Sequence, residues 1–378
     1  MNRSIRNPFC VLGCVLLIAA CVAGLATVAA AQGTGPAEVA VKTAGGGFIL
    51  GYDVDRNGTT GYLAEAKSLS DGKYNIAVET FDQATGQITR VVKQQVDSKN
   101  SFAALGIYGS GIGMVEFDKV RKLFVEERDY GLLNPVSLQR LNGQWTPALT
   151  VKQPIIGIGG DQTSSTIAVM ASQNFSTFVF SSDLSANTFG PNITLTDSVF
   201  GFNDSPVIGL NTVSNQAVVA SSTGGILTQP TLAIVDLATG DVNQFTGIGF
   251  GFVNGIAIDS ANNLACTTTE VDFSVEFYDL ATQSGFKVFM PNAVSQAQAG
   301  SAVAFDDVNK LFLVQQALSS TAASGSSIQV FDEQGNLVES INGLSLPSSP
   351  TRIAINPSTR TGFVVVTPSL TQLQSFTY

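Results

Sequence analysis

The segment Asp53-Val54-Asp55-Arg56-Asn57-Gly58 sets three oxygen-bearing side chains at alternate positions ahead of a glycine. Calcium is a hard cation held by converging carboxylate, amide and carbonyl oxygens, and a glycine lets the chain turn sharply around it. The opening of such a loop is present, but its later ligands are not. Ala64 stands where a helical calcium loop carries Glu, with Glu65 one place late, and Gly61 stands where a loop between strands would carry an acid. Asp53, Asp55 and Asn57 are therefore a calcium candidate set against a plainer reading as a hairpin turn. The broadest chemical statement is negative. No histidine occurs in the 378 residues. That excludes Ser-His-Asp and Cys-His hydrolysis, histidine-ligated metals and histidine general bases.

The remaining reactive types add little. Cys10, Cys14 and Cys21 lie in an apolar N-terminal run, so only Cys266 remains beyond it, between apolar neighbours. It reads as a small buried hydrophobe, because a reactive thiol needs a charged partner nearby. Trp145 is the one tryptophan, which weakens a sugar-stacking role. A formal charge of −10, from 19 basic and 29 acidic residues, argues against nucleic-acid binding.

The elements that must position any site come from a repeat. The stretch Phe252–Pro291 holds four short runs rich in β-branched and aromatic residues, each bounded by turn formers. Its first hairpin, GIAIDSANNL, has relatives along the chain whose strand-end anchors are Asp55, Asp118, Asp161, Asn211, Asp259, Asp306 and Asn356. The intervals are 63, 43, 50, 48, 47 and 50 residues. Four strands per period of roughly 40–50 residues mark a β-propeller. A short Asx side chain bonding the next backbone N–H groups explains the anchors. A second turn pattern recurs at Asp82, Asp236, Asp279 and Asp332 (FDQATGQI, VDLATGDV, YDLATQSGF, FDEQGNLV), with Asp183 a looser fit.

Seven anchors imply an all-β, seven-bladed β-propeller of four-stranded blades. The last blade stops after three strands, at Tyr378. The spare run Ala37–Thr43 supplies the fourth, closing the ring in a 3+1 arrangement and covering two bare sheet edges. The long first interval is read as an irregular loop over 97–111.

The turns VDLATGDV and FDQATGQI, with the GIAIDSANNL-type hairpins, resemble the NHL-like and YVTN-like (YncE-type) propellers over nearly all of the chain after the leader. That resemblance implies the fold. Its members bind proteins or ligands, or hydrolyse lactones, so it leaves the activity open. Asn254-Gly255 opening an inner strand is similar to one metal-ligand strand of the gluconolactonase-type propellers, which hold a divalent ion with a Glu, two Asn and an Asp. Only Asn254 matches here. A metal-dependent lactonase is thus the alternative to a non-enzymatic binding scaffold.

Binding on a propeller is expected on the face formed by the inter-blade loops and the loops between second and third strands, because loops on a rigid frame vary freely. Here that face is expected to hold Tyr108, Asp129, Tyr130, Phe202, Asp204, Phe252, Asn254, Asp272 and Arg352, along with Phe200, Asn203 and Phe250. The paired Phe-Gly-Phe segments are either wedges between blades or an apolar patch for a protein or small ligand. No cofactor other than the calcium candidate is expected, and a closed ring is expected to be monomeric.

Residues 1–31 have a basic start, an apolar centre and small residues at the end, the form of a bacterial secretory signal peptide cleaved after Ala31. Processing at Cys21 as a lipoprotein and an uncleaved anchor are the competing readings. Residues 32–378 are then one exported propeller domain, secreted or periplasmic, with no membrane segment after cleavage. The Asn-x-Ser/Thr sequences at Asn57, Asn174, Asn192 and Asn203 are read as turns.

Overall fold

Blade 5 shows why these residues form these elements. Val253–Asp259, Leu264–Thr269, Ser274–Asp279 and Ser284–Phe289 are four antiparallel strands paired in chain order, here called a to d from the channel outward. The a–b and c–d turns each begin at an Asx residue: Asp259 pairs with Leu264, and Asp279 with Ser284. Between those turns the strands are rich in Val, Thr, Ile, Phe and Tyr, which suit a pleated surface.

The computed structural model describes residues 31–32 and 39–378, apart from 71–73, 97–99, 109–110, 123–130, 142–144, 152–154, 174–175, 184–187, 196–206, 222–227, 270–273, 292–299, 317–325, 348–351 and 368–369. These residues form seven sheets. In chain order they span 48–96, 100–151, 155–195, 207–246, 253–289, 300–342 and 354–377, numbered here as blades 1 to 7. Blade 3 divides its outer strand into Thr188–Phe189 and Ile193–Leu195, both paired with Ser176–Asp183. Blade 7 takes Ala40–Lys42 as its fourth strand, antiparallel to Gln372–Thr377 with Val41 opposite Leu373. Val39 ties in further, donating its N–H to Ser375 Oγ and accepting from the Ser375 N–H, both at 2.8 Å. Ala31–Gln32 adds a short parallel strand to the outer edge of blade 6. Among the described residues no helix is long and apolar enough to cross a membrane.

The core is a series of layers between blades. In strand b of blade 4, Ala217 and Val219 pack toward blade 3, against Ala168 and Met170. Val218 and Ala220 point the other way, toward Ala265 and Tyr278 of blade 5. The side-chain period of two therefore buries both faces, and such a strand reads as a continuous apolar run. Phe277 does the same work one layer on, meeting Phe312 and Phe331 of blade 6 edge to face at 5.4 and 6.5 Å. Burying one such ring contributes about 2–3 kcal/mol.

Blade 2 corrects one sequence reading. Residues 97–111 are not an irregular loop, because Asn100–Tyr108 is the inner strand of that blade. Asp118 does not end a strand either; it lies within Gly111–Lys122 and pairs with Asn100. The physical reason is turn chemistry. After Asp118 come Lys119, Val120 and Arg121, with no Gly or Asn to turn the chain, and Val120 favours extension. In blades 4 and 5 the fourth residue after the anchor is Asn215 or Asn263, each at a left-handed φ of 54° or 58°.

Candidate functional site

The turns between strands a and b gather at one mouth of the channel. Six of the seven anchors make the expected Asx turn. Asp55, Asp161, Asn211, Asp259, Asp306 and Asn356 each accept one or two backbone N–H groups from the following residues, at 2.7–3.4 Å. Asn211, Asp259, Asp306 and Asn356 are buried, so they also satisfy partners outside their own turn. Asn211 Nδ2 donates to Asn263 Oδ1 at 2.6 Å, joining blades 4 and 5. Lys310 Nζ stands 3.8 Å from Asp259, joining blades 5 and 6. The Tyr378 hydroxyl donates to Asp306 Oδ2 at 2.8 Å, joining blades 7 and 6. Burial, then the Asp306 carboxylate beside it, hold that phenol far above its ordinary pKa, so it stays a donor. Asn356 Nδ2 donates to Gln83 Oε1 at 2.9 Å, joining blades 7 and 1. A polar belt thus runs along this mouth from blade 4 through blade 7 to blade 1.

The belt is crossed by one turn. Arg56 of blade 1 forms an ion pair through Nη2 with Asp307 of blade 6. Its backbone N–H donates to Gln162 Oε1 of blade 3 at 3.0 Å, and Gln162 Nε2 donates back to the Val54 carbonyl at 2.6 Å. Ser358 Oγ of blade 7 donates to the Arg56 carbonyl at 2.9 Å. A half-exposed ion pair of this kind contributes about 0–1 kcal/mol once solvent screening is counted.

Inside the mouth lies a cavity of about 530 Å³. Inner strands of blades 3 to 7 wall it with aliphatic side chains, and Asp53, Arg56, Asp307, Lys310 and Arg352 add charges. Gly209 lets the wall close up, since a Cβ there would lie 2.7 Å from Ile258 Cγ1. Asp53, only 2 % exposed, meets Arg352 Nη2 at 2.7 Å across the seam between blades 1 and 7.

The calcium candidates therefore go to three different places. Asp53 faces Arg352, Asp55 accepts the Asn57 N–H within its own turn at 3.0 Å, and the Asn57 side chain lies 3.4 Å from Ser358 Oγ. Among the described residues no group of three or more acidic, cysteine or histidine side chains is placed to hold a metal ion. Cys266 is fully buried, and burial followed by the nearby Glu276 keeps its thiol protonated.

Of the residues expected on the inter-blade face, Asp129, Tyr130, Phe202, Asp204 and Asp272 lie outside the described residues, as do Phe200 and Asn203. Tyr108 is a correction: it ends the inner strand of blade 2, paired with Gly111, and so lies at the a–b end. Arg352 lines the cavity. Asn254 is half-buried at an irregular register between Val253 and Gly255. Phe252 is half-buried, while Phe250 is 38 % and Phe289 66 % exposed. Lys287 Nζ lies between those two rings, 5.7 and 5.6 Å from their centroids. Ser274 is opposite Phe289, so this cluster borders the connection that contains Asp272.

The sequence reading missed the groups that hold this face's loops. Glu79, fully buried, accepts the Ala44 N–H with both oxygens at 3.0 Å, and Glu65 accepts the Gly47 N–H at 3.0 Å. Glu276 accepts hydroxyls from Thr267, Thr269 and Ser274. A signal existed: Glu79 and Glu276 each stand three residues before a c–d turn Asp.

No protein-family model matches the chain, and no curated protein does. Solved structures do. The chain is similar to the WD40 domain of Neurospora crassa Pan2 at a TM-score of 0.58 and 12% identity, covering 91% of this chain and 96% of that one. The fold is a β-propeller. A chain of the mitotic checkpoint complex matches at a TM-score of 0.58 and 12% identity, covering 92% and 93% of the two chains. Hydrazine synthase of Kuenenia stuttgartiensis matches at 0.60 and 13% identity, covering 89% and 97%. At such identities the likeness is of fold alone, and it spans proteins of different kinds.

Proposed function

We propose that this chain is an exported, non-enzymatic scaffold of the NHL-like or YVTN-like kind that grips a protein partner through its inter-blade face. The observation that carries the proposal is the Phe250–Lys287–Phe289 cluster. Two exposed rings flank one cation on the outer rim of a rigid blade, where water covers apolar surface that a partner would bury. Aromatic anchors of this type dominate binding energy where they occur. The mitotic checkpoint complex, among the structures similar in fold, is an assembly of proteins, which is in keeping with this reading. Export rests on the form of residues 1–31.

The test uses a photo-reactive phenylalanine analogue at position 289, with a control at Val242, on the outer strand of blade 4. Cross-linking in the producing cells should give a discrete adduct from position 289 alone, lost when Phe250→Ser is added. The double change Phe250→Ser with Phe289→Ser should melt within about 0.5 kcal/mol of wild type, as surface substitutions do. Equal adducts from both positions, or adducts that survive Phe250→Ser, would overturn the proposal.

A further inference from the structure

In five blades the residue that follows strand c is described, and it turns toward the blade before it. In blades 4 and 5 it is a buried leucine, Leu237 or Leu280, packed in the layer shared with the preceding blade. In blade 1 Gln83 meets Asn356, and in blade 7 the Tyr378 hydroxyl donates to Asp306. Blade 6 alone of the five puts an acid there, Glu333, and it faces the buried acid Asp259 of blade 5. One amide joins the two: Asn262 Nδ2 donates to Asp259 Oδ2 and to Glu333 Oε1, both at 2.8 Å. The carboxyl groups lie within hydrogen-bond reach of each other. Carboxyls this close do not both ionise freely, and one of them keeps a proton to higher pH.

Asp259 already accepts the Ala261 and Asn262 N–H groups, so Glu333 is the member that takes the proton. Burial, then the bond to Asp259 and its charge, push the Glu333 carboxyl above its ordinary pKa. The cation that offsets part of this is Lys310, with Nζ 3.8 Å from Asp259 Oδ1. Its side chain is half-exposed and its ammonium also lies over the Phe305 ring, 5.6 Å from the centroid. The other acids on these turns are engaged elsewhere. Asp332 accepts the Gln334 and Asn336 N–H groups of its own turn, and Asp307 pairs with Arg56. The turn that carries Glu333 also leans on blade 5. A Cβ at Gly335 would lie 2.6 Å from Val288 Cγ2 and 2.8 Å from Phe286 Cε2, so the turn closes over the outer strand of blade 5.

We propose that Glu333 and Asp259 form a proton-operated latch between blades 5 and 6. With the proton in place the Glu333 turn is held on blade 5. Without it two like charges face each other, and the turn lifts from Phe286 and Val288. The sign follows from the geometry. A carboxyl whose folded pKa lies above its unfolded value contributes stability that is complete below the unfolded value, about 4.3, and is lost as pH rises through the folded value. The latch is therefore tight in mild acid and slack at neutral pH. It does not rest on the Phe250–Lys287–Phe289 cluster binding a partner, so either proposal can fail alone.

The test is Glu333→Gln, which sets a neutral amide against Asp259 at every pH. Its melting temperature should match that of the wild type at about pH 4 and exceed it at about pH 7.5, because only the wild type gains the second charge in between. Hydrogen exchange over residues 331–337, corrected for the intrinsic rate, should quicken in the wild type across that range and stay level in Glu333→Gln. Lys310→Met removes the cation that lowers the Glu333 pKa, so it should move the wild-type changes to lower proton concentration only if the latch titrates as described, that is, to higher pH no longer but already at the pH where Glu333 ionises in that variant, above the wild-type midpoint. A gap in melting temperature between Glu333→Gln and wild type that is the same at both pH values overturns the proposal. So does exchange over 331–337 that is level with pH in the wild type, or a midpoint that Lys310→Met leaves where it was.

Discussion

The two ends of this propeller are built on opposite principles. At the a–b end, short turns repeat, six of the seven closed by their own Asx residue, and several are stitched to a neighbour by side chains such as Asn211, Tyr378 and Asn356. At the inter-blade end, the connections differ in length and sequence, and aromatic rings stand in solvent. Rigidity is concentrated where the sequence repeats, and diversity where it does not. A ring held at one end leaves the other free to change without loss of the frame.

The largest effect that tests this contrast comes from opening the ring. Deleting residues 37–43 removes Val41, which is fully buried against Leu373, and bares an edge strand. The melting temperature should fall by well over 10 °C, and an unchanged melt would show that the ring does not depend on that strand. Next comes a matched pair of turn substitutions. Asp306→Ala strands the N–H groups of Val308 and Asn309 and the buried Tyr378 hydroxyl. It should cost about 3 kcal/mol in urea unfolding, whereas Asp82→Ala, at an exposed turn, should cost nearer 1 kcal/mol. Equal costs would mean that the links between blades add nothing beyond the turns themselves.

The smallest effect lies in the acid limb. Hydrogen bonds from Thr85, Thr239 and Thr282, with those from their neighbours, hold the Asp82, Asp236 and Asp279 carboxyls below their ordinary pKa. A lowered folded-state pKa gives stability that is complete above the unfolded value, near 3.9, and lost as pH falls through the folded value. Replacing all three by Asn should therefore flatten the loss of stability below about pH 4 and leave the profile above it unaltered in slope. A profile that stays as steep would assign the acid limb to the buried carboxylates instead.

How much of this was legible depended on range. The anchors and the c–d turns were readable because an Asx turn is decided within three or four residues, as at Asn211 or Asp236. The closing strand was readable because a propeller with one strand missing must find it elsewhere. The pairing of Arg56 with Asp307, of Arg352 with Asp53 and of Tyr378 with Asp306 left no local trace, since each partner lies in another blade. The cavity wall was hidden for a different reason. A strand such as GIAID or VIGLN reads as core on its period alone, and only the ring's geometry sets Ile208 and Ile258 at the edge of a space. Asp118 failed because an acidic residue at the right interval does not make a turn unless the next residues can bend.

The 3+1 closure has a consequence in time. Val39 and Ser375, which bond each other in blade 7, are 336 residues apart. At a synthesis rate of roughly 5–20 residues per second, the first closing residue leaves the ribosome on the order of 20–60 s before its partner exists. The ring is therefore completed last by its oldest residues, and whatever shields that strand from other chains in the interval takes part in making the protein.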